Sequence, residues 1–226
     1  MWINYQKQII YLCNPKCAST TIRRNLKKQG FKNFGHLLRN DFKSHHNHSP
    51  MKVIIDYLKY IQKDPYSFTY FTIIRDPIDR IISNFNYCKF DKEWNAFYSE
   101  QKKNALINFQ KPYNFEYYEK YNHTINDYIS VGLEKSSNLC THPVRIVDFT
   151  EILDNKFNIH IFQIENLIKC KKFLKRFNIS LNINMKENVG KNKENISDIK
   201  KTITKENLEK IYNLYKYEYT YYYNHL

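Results

Sequence analysis

The chain has 226 residues, 42% of them hydrophobic, which is enough to bury one domain-sized core. Its formal charge of +14 points to polyanions such as nucleic acid, anionic lipid, acidic glycan or nucleotide phosphate, or else to a solvated lysine-rich surface. The five cysteines, Cys13, Cys17, Cys88, Cys140 and Cys170, form no CxxC pair, which argues against a zinc ribbon, a dithiol redox motif and a disulfide framework.

Reduced thiols in a cytoplasmic setting are therefore expected. Neither a signal peptide nor a transmembrane span is read, a trimmed membrane anchor being the other reading. With 20 tyrosines, 15 phenylalanines and four glycines, the composition also resembles that of an AT-rich genome, so it reports codon bias as much as function.

Residues 8–14 are a continuous apolar run suited to a buried parallel strand, and 19–29 follow as a helix closed by Gly30 in a left-handed cap. Residues 32–38 are read as a short strand, 41–50 as a polar, histidine-rich loop and 51–63 as a helix. Residues 67–74, nearly all β-branched or aromatic, are the strongest strand. Asp76 then caps, and Pro77 opens, a helix to about residue 88.

Residues 90–121 are read as a variable insertion within a single domain spanning 1–226. Helices are expected at 124–133 and 148–155, a strand at 158–164, a helix at 166–177, a basic loop at 178–197 and a last helix at 204–223. Strands alternating with helices predict a three-layer α/β fold with a mainly parallel central sheet flanked by helices.

The stretch Asn14-Pro15-Lys16-Cys17-Ala18-Ser19-Thr20-Thr21 sits at a strand-to-helix turn. Backbone N–H groups at such a helix start converge, and the helix dipole adds positive charge there. Lys16 supplies a full charge, the three hydroxyls add donors, and small residues let the backbone approach an anion. A nucleotide-triphosphate loop places its lysine just before the Ser/Thr and carries glycines. Here Lys16 precedes Thr20 by four residues and both glycines are missing, so that motif is disfavoured.

A second constellation lies in "YFTIIRDPIDRIISNF", residues 70–85. Arg75 ends the strong strand, and Ser83, seven residues beyond Asp76, returns to the same helix face. The two make a clamp for a second phosphate. Two anion sites on neighbouring strands suit a nucleotide with phosphates at both ends of its ribose.

Together "NPKCASTTIR" and "TIIRDPIDRIISNF" resemble the two cofactor motifs of the sulfotransferases that use 3′-phosphoadenosine 5′-phosphosulfate (PAPS). The carbohydrate type, and within it the uronosyl 2-O-sulfotransferase group, is the nearest likeness. The resemblance extends more weakly to "NIHIFQIENL" and to the final forty residues, where "ENVGKNK" is similar to a C-terminal cofactor loop. It implies a P-loop-like fold, Lys16, Ala18, Ser19, Thr20 and Thr21 on the 5′-phosphosulfate, and Arg75 and Ser83 on the 3′-phosphate. Gly190 and Lys191 would also touch the cofactor, while Asp76 and Arg80 would be structural.

Sulfuryl transfer needs the acceptor hydroxyl deprotonated and charge stabilised on the leaving phosphate. Lys16 suits the second task and a histidine the first. The uronosyl group carries a His-x-His pair between its cofactor motifs, and His46-Asn47-His48 fits, with His46 the first choice and His48 the second. No glutamate lies between Lys16 and Arg75 to act instead. A metal held by His45, His46 and His48 would lack a completing ligand beyond Asp41, and no metal is required where lysine, arginine and helix dipoles supply the charge.

The leading expectation is thus a PAPS-dependent sulfotransferase acting on a glycan or another hydroxyl compound, an anionic polysaccharide among them. The alternatives are a P-loop kinase using ATP-Mg, a basic nucleic-acid-binding protein, and a degenerate sulfotransferase without turnover. No RNA- or DNA-binding module is found to support specific nucleic-acid recognition. Oligomeric state is not encoded in any readable motif.

Overall fold

Trp2–Asn4 (β1), Ile9–Leu12 (β2), Lys32–Asn33 (β3), Thr69–Ile74 (β4) and Asn158–Gln163 (β5) form one sheet in the order β3-β1-β2-β4-β5. The computed structural model describes residues 1–33, 51–90, 124–134, 146–150, 156–182 and 195–223. The chain divides into two units, one of Met1–Asp76, Val144–Asn188 and Tyr217–Leu226, the other of Pro77–Pro143 and Val189–Lys216.

The sheet belongs to the first unit. Its two long ladders, β2 with β4 and β4 with β5, are parallel. β1 adds antiparallel pairs to β2 and to β3. The strand β1 is an addition to the sequence reading, because three residues are too few to show a period. Asn4 builds the turn that follows it: its Oδ1 accepts the Lys7 N–H at 3.0 Å, and Gln8 takes a left-handed φ of 48°.

Side-chain alternation then puts a core on each face of the sheet. Ile3, Ile10, Leu12, Tyr70 and Ile74 meet Met51–Tyr60 (α2) and Ile146–Thr150 (α5) through Met51, Ile54, Leu58 and Ile146. On the other face Trp2, Ile9, Tyr11, Phe71 and Ile73 meet Ser19–Lys27 (α1) and Leu167–Lys175 (α6) through Ile22, Leu26, Phe173 and Leu174. Helix, sheet and helix make three layers, as the alternation of elements predicts.

Several bounds differ from the sequence reading for local reasons. Helix α1 stops at Lys27, and Gly30 at φ 82° lets the Phe31 N–H reach the Leu26 carbonyl at 3.3 Å. Helix α5 begins earlier than expected because the buried Glu218 carboxylate accepts the Ile146 N–H at 2.6 Å. The expected loop at 178–197 ends in a helix, Ile196–Thr202 (α7), whose start is held by the Asn195 side chain accepting from Ser197 N–H at 3.1 Å. The last helix is broken, with Lys205–Leu214 (α8), Lys216–Glu218 and a π-helical turn at Tyr219–Tyr223 in succession.

The second unit joins Pro77–Phe90 (α3), Ile125–Glu134 (α4), α7 and α8. Asn84 donates to the Tyr128 hydroxyl at 2.6 Å, and Asn207 bonds both Asn126 and Ser130. Arg80 is fully buried with its guanidinium 5.2 Å from the centre of the Tyr215 ring, and Asp79 pairs with Lys200 at 3.5 Å. The sequence expectation for Arg80 is a buttressing ion pair; the contact described is with the Tyr215 ring. Apart from Phe90, the expected insertion at 90–121 lies outside the described residues. Among the described residues no helix is long and apolar enough to cross a membrane.

Candidate phosphate-binding site

Strand β2 runs apolar to Leu12, and the Asn14 N–H turns back to the Leu12 carbonyl at 3.1 Å, which ends the strand. The loop that follows reaches α1 at Ser19. Two non-glycine residues in it are left-handed, Lys16 at φ 60° and Ala18 at φ 54°. A Cβ in that region costs roughly 1–2 kcal/mol per residue. The loop thus keeps the bend that glycines usually provide, at the expense of strain, and strain of this kind concentrates at functional sites.

Cys17, between the two, is buried in the sheet core, and its thiol donates to the Pro15 carbonyl at 3.3 Å. This anchors the loop centre and leaves Lys16 half-buried and Ala18 half-buried on either side. The first N–H of α1 satisfied within the helix is that of Ile22, on the Ala18 carbonyl at 3.1 Å. The N–H groups ahead of it have no carbonyl within the helix to reach. No acidic residue occupies the first turn, while Arg24 and Lys27 sit in the last, so the positive end of the dipole faces the loop undiminished.

Arg23 adds charge from one turn below. Its Nε donates to the Ser19 carbonyl at 3.2 Å and its Nη2 to Thr20 Oγ1 at 3.3 Å. A hydroxyl that accepts from a guanidinium directs its own proton elsewhere. Asn14, at the foot of the loop, is wholly buried, and neither its Oδ1 nor its Nδ2 has a hydrogen-bond partner among the described residues. Such an amide costs about 1–3 kcal/mol per group left unmade and is rare outside sites that hold water or a ligand.

The parallel strands β4 and β5 end on the same edge as β2. Arg75 follows β4, half-buried, and makes no hydrogen bond or ion pair among the described residues. Glu165 follows β5 in a 3-10 turn, Ile164–Asn166. Its Oε1 accepts the Asp76 N–H at 3.4 Å and its Oε2 the Tyr223 hydroxyl at 3.3 Å. Gln163 donates through Nε2 to the Tyr222 carbonyl and holds the final turn against β5. Burial, then the neighbouring Glu165, Cys17 and Asp76, push the Tyr223 phenol well above its usual range, so it stays a neutral donor.

The expected site residues thus divide. Lys16, Ala18, Ser19, Thr20 and Thr21 share the loop and helix start, and Arg75 lies on the same sheet edge. Ser83 is half-buried on α3 in the second unit. His45, His46, His48, Gly190 and Lys191 lie outside the described residues. Three residues were given no role from sequence: Arg23, Glu165 and Tyr223. The four-residue step from Ser19 signals Arg23, and the end of a strand signals Glu165, whereas Tyr223 is one of many tyrosines in its segment and carries no signal. Among the described residues no cluster of His, Cys, Asp and Glu is arranged to hold a metal ion.

The loop, the helix start and Arg75 fit a phosphorylated nucleotide: a dipole end, a lysine, hydroxyl donors and an arginine not already committed to a protein carboxylate. A model of the sulfotransferase family matches residues 1–224. No curated protein and no solved structure matches the chain.

Proposed function

Since the chain belongs to the sulfotransferase family, we propose that it moves a sulfuryl group from PAPS to a hydroxyl of a carbohydrate acceptor, by in-line displacement with a histidine base. The observation that supports this most is the strained loop at Lys16 and Ala18, opening α1 on the sheet edge that also bears the uncommitted Arg75.

PAPS, when bound, supplies a sulfuryl group already attached to a phosphate leaving group. Lys16 and the first N–H groups of α1 hold the 5′ end and stabilise the negative charge that builds on the departing phosphate. Thr20 and Thr21 orient the same end by hydroxyl donation, Thr20 with its oxygen already held by Arg23. Arg75 binds the 3′-phosphate, and Ser83 is assigned to that phosphate by the motif alone. His46, or His48 two residues on, takes the acceptor proton. The surplus of 36 basic over 22 acidic residues favours an anionic glycan as acceptor.

The test is a thermal-shift titration with 3′,5′-ADP against ATP-Mg and 5′-ADP. A ligand at about 100 times its dissociation constant adds roughly 2.7 kcal/mol to the folded state. Stabilisation by 3′,5′-ADP that is lost in Arg75→Ala is expected. A response to ATP-Mg alone would make the protein kinase-like, and no response to any of the three would remove the nucleotide from the account.

A further inference from the structure

Arg75 precedes Asp76, whose N–H donates at 3.4 Å to the carboxylate of Glu165 at the end of the neighbouring strand. The Glu165 carboxylate reaches the Asp76 N–H, one residue from Arg75, which is close enough for a long guanidinium to turn to it. A bidentate Arg–carboxylate pair would be the strongest contact open to both side chains. Yet the two make no ion pair. Glu165 instead spends one oxygen on a backbone N–H and the other on a phenol.

We propose that Tyr223 is a positioning residue for the anion site: with the Asp76 N–H it cradles Glu165 and so keeps Arg75 available for a phosphate. This rests on the reading of Arg75 as a phosphate ligand. Three features of the structure support it. The phenol keeps its proton at any working pH, so it is a constant donor. The final turn that carries it is fixed to β5 by Gln163. Both Glu165 oxygens are occupied, and by neutral donors, so the carboxylate is satisfied without consuming a cation.

What remains for the ligand is a full guanidinium charge at the end of β4, the strand paired with the one that leads into α1. Without the phenol, Glu165 Oε2 loses its donor and is open to another. A carboxylate and a phosphate would then compete for the same fork of N–H groups. Tyr223 therefore acts, through Glu165, on affinity for the phosphate that Arg75 binds.

The experiment is a binding titration of 3′,5′-ADP and of 5′-ADP to the full chain, for wild type, Tyr223→Phe, Glu165→Gln and the double variant. Tyr223→Phe is expected to raise the Kd for 3′,5′-ADP about tenfold, the scale of losing a charge-assisted hydrogen bond, and to leave 5′-ADP affinity unchanged. Adding Glu165→Gln should restore 3′,5′-ADP binding, because an amide cannot neutralise Arg75. Equal binding by wild type and Tyr223→Phe would overturn the proposal, and so would a loss that Glu165→Gln fails to rescue. Should Tyr223→Phe not fold, Glu165→Gln alone decides: unchanged or tighter 3′,5′-ADP binding supports the cradle, and weaker binding refutes it. A wild-type protein that ignores 3′,5′-ADP would instead sink the sulfuryl-transfer reading itself.

Discussion

Ala18 holds φ 54° at the mouth of α1 without the glycine that makes such a bend cheap. Ala18→Gly is expected to stabilise the protein by about 1 kcal/mol, since relief of the left-handed strain exceeds the added freedom of the unfolded chain. Ala18→Val should destabilise it by more than that, and urea melts of both variants measure the pair. Identical melts would mean that the backbone does not retain this conformer. Lys16, also left-handed, has a different role. Lys16→Ala is expected to abolish transfer with an unchanged melting temperature, and an active Lys16→Ala protein would take the lysine out of the mechanism. His46→Ala should lower turnover by about 10²–10⁴ while 3′,5′-ADP binding persists. If His48→Ala is the inactive variant instead, the base lies two residues further on.

At the scale of elements, the site edge depends on strands and helices packed far from it. β5 is an edge strand, and His160 on it lies against Phe173 of α6 with ring centres 4.3 Å apart. Burial first, and Arg176 second, hold its imidazole below the usual value of 6.5. The folded protein therefore binds fewer protons than the unfolded chain in the interval just below 6.5, and stability falls as pH drops through it. His160→Leu should flatten that decline in a series of melts from neutral to acid pH. Parallel curves for the two proteins would show that another group sets the acid limit. Elsewhere, side chains close helix ends in place of long-range strands. Asn25 of α1 and Gln29 just beyond it bond the backbone of Asn182 and Ser180, and Lys7 donates to the carbonyls of Phe177 and Asn178 just past the end of α6.

At the scale of the molecule, charge and fold act over different distances. Among the described residues most lysines and arginines are exposed, so their field is screened within roughly 8 Å at physiological salt. On the proposed reading the loop and Arg75 hold their anion by contact, and both are only partly exposed. The apparent affinity for an anionic glycan should therefore weaken with added salt more steeply than the Kd for 3′,5′-ADP. Titrating both against sodium chloride tests this, and equal slopes would place the acceptor's binding on the contact residues alone.

Local pattern carried the sequence reading a long way. Hydrophobic and β-branched runs marked β2 and β4, because a strand buried on both faces has little room for polar positions, and the run at 158–164 marked the partly buried β5. Gly30 and Pro77 marked a helix end and a helix start through their own backbone restrictions. The candidate loop was legible because lysine, small residues and hydroxyls must be adjacent in sequence to line one helix start, and the structure puts them at the start of α1. Strand β1 and helix α7 were not legible, each spanning fewer than two full repeats of its period. The left-handed φ of Lys16 and Ala18 was hidden as well, since neither residue type advertises it. Only the tertiary structure brought Glu165 to Asp76, 89 residues away, and Tyr223 to Glu165, 58 residues away. Such contacts follow from strand order and from how the last turn docks on β5. Neighbouring residues fix a period, a cap or a turn, but the partner of a side chain across the sheet edge is selected by burying the apolar faces of the whole sheet, a free energy that no local stretch contains.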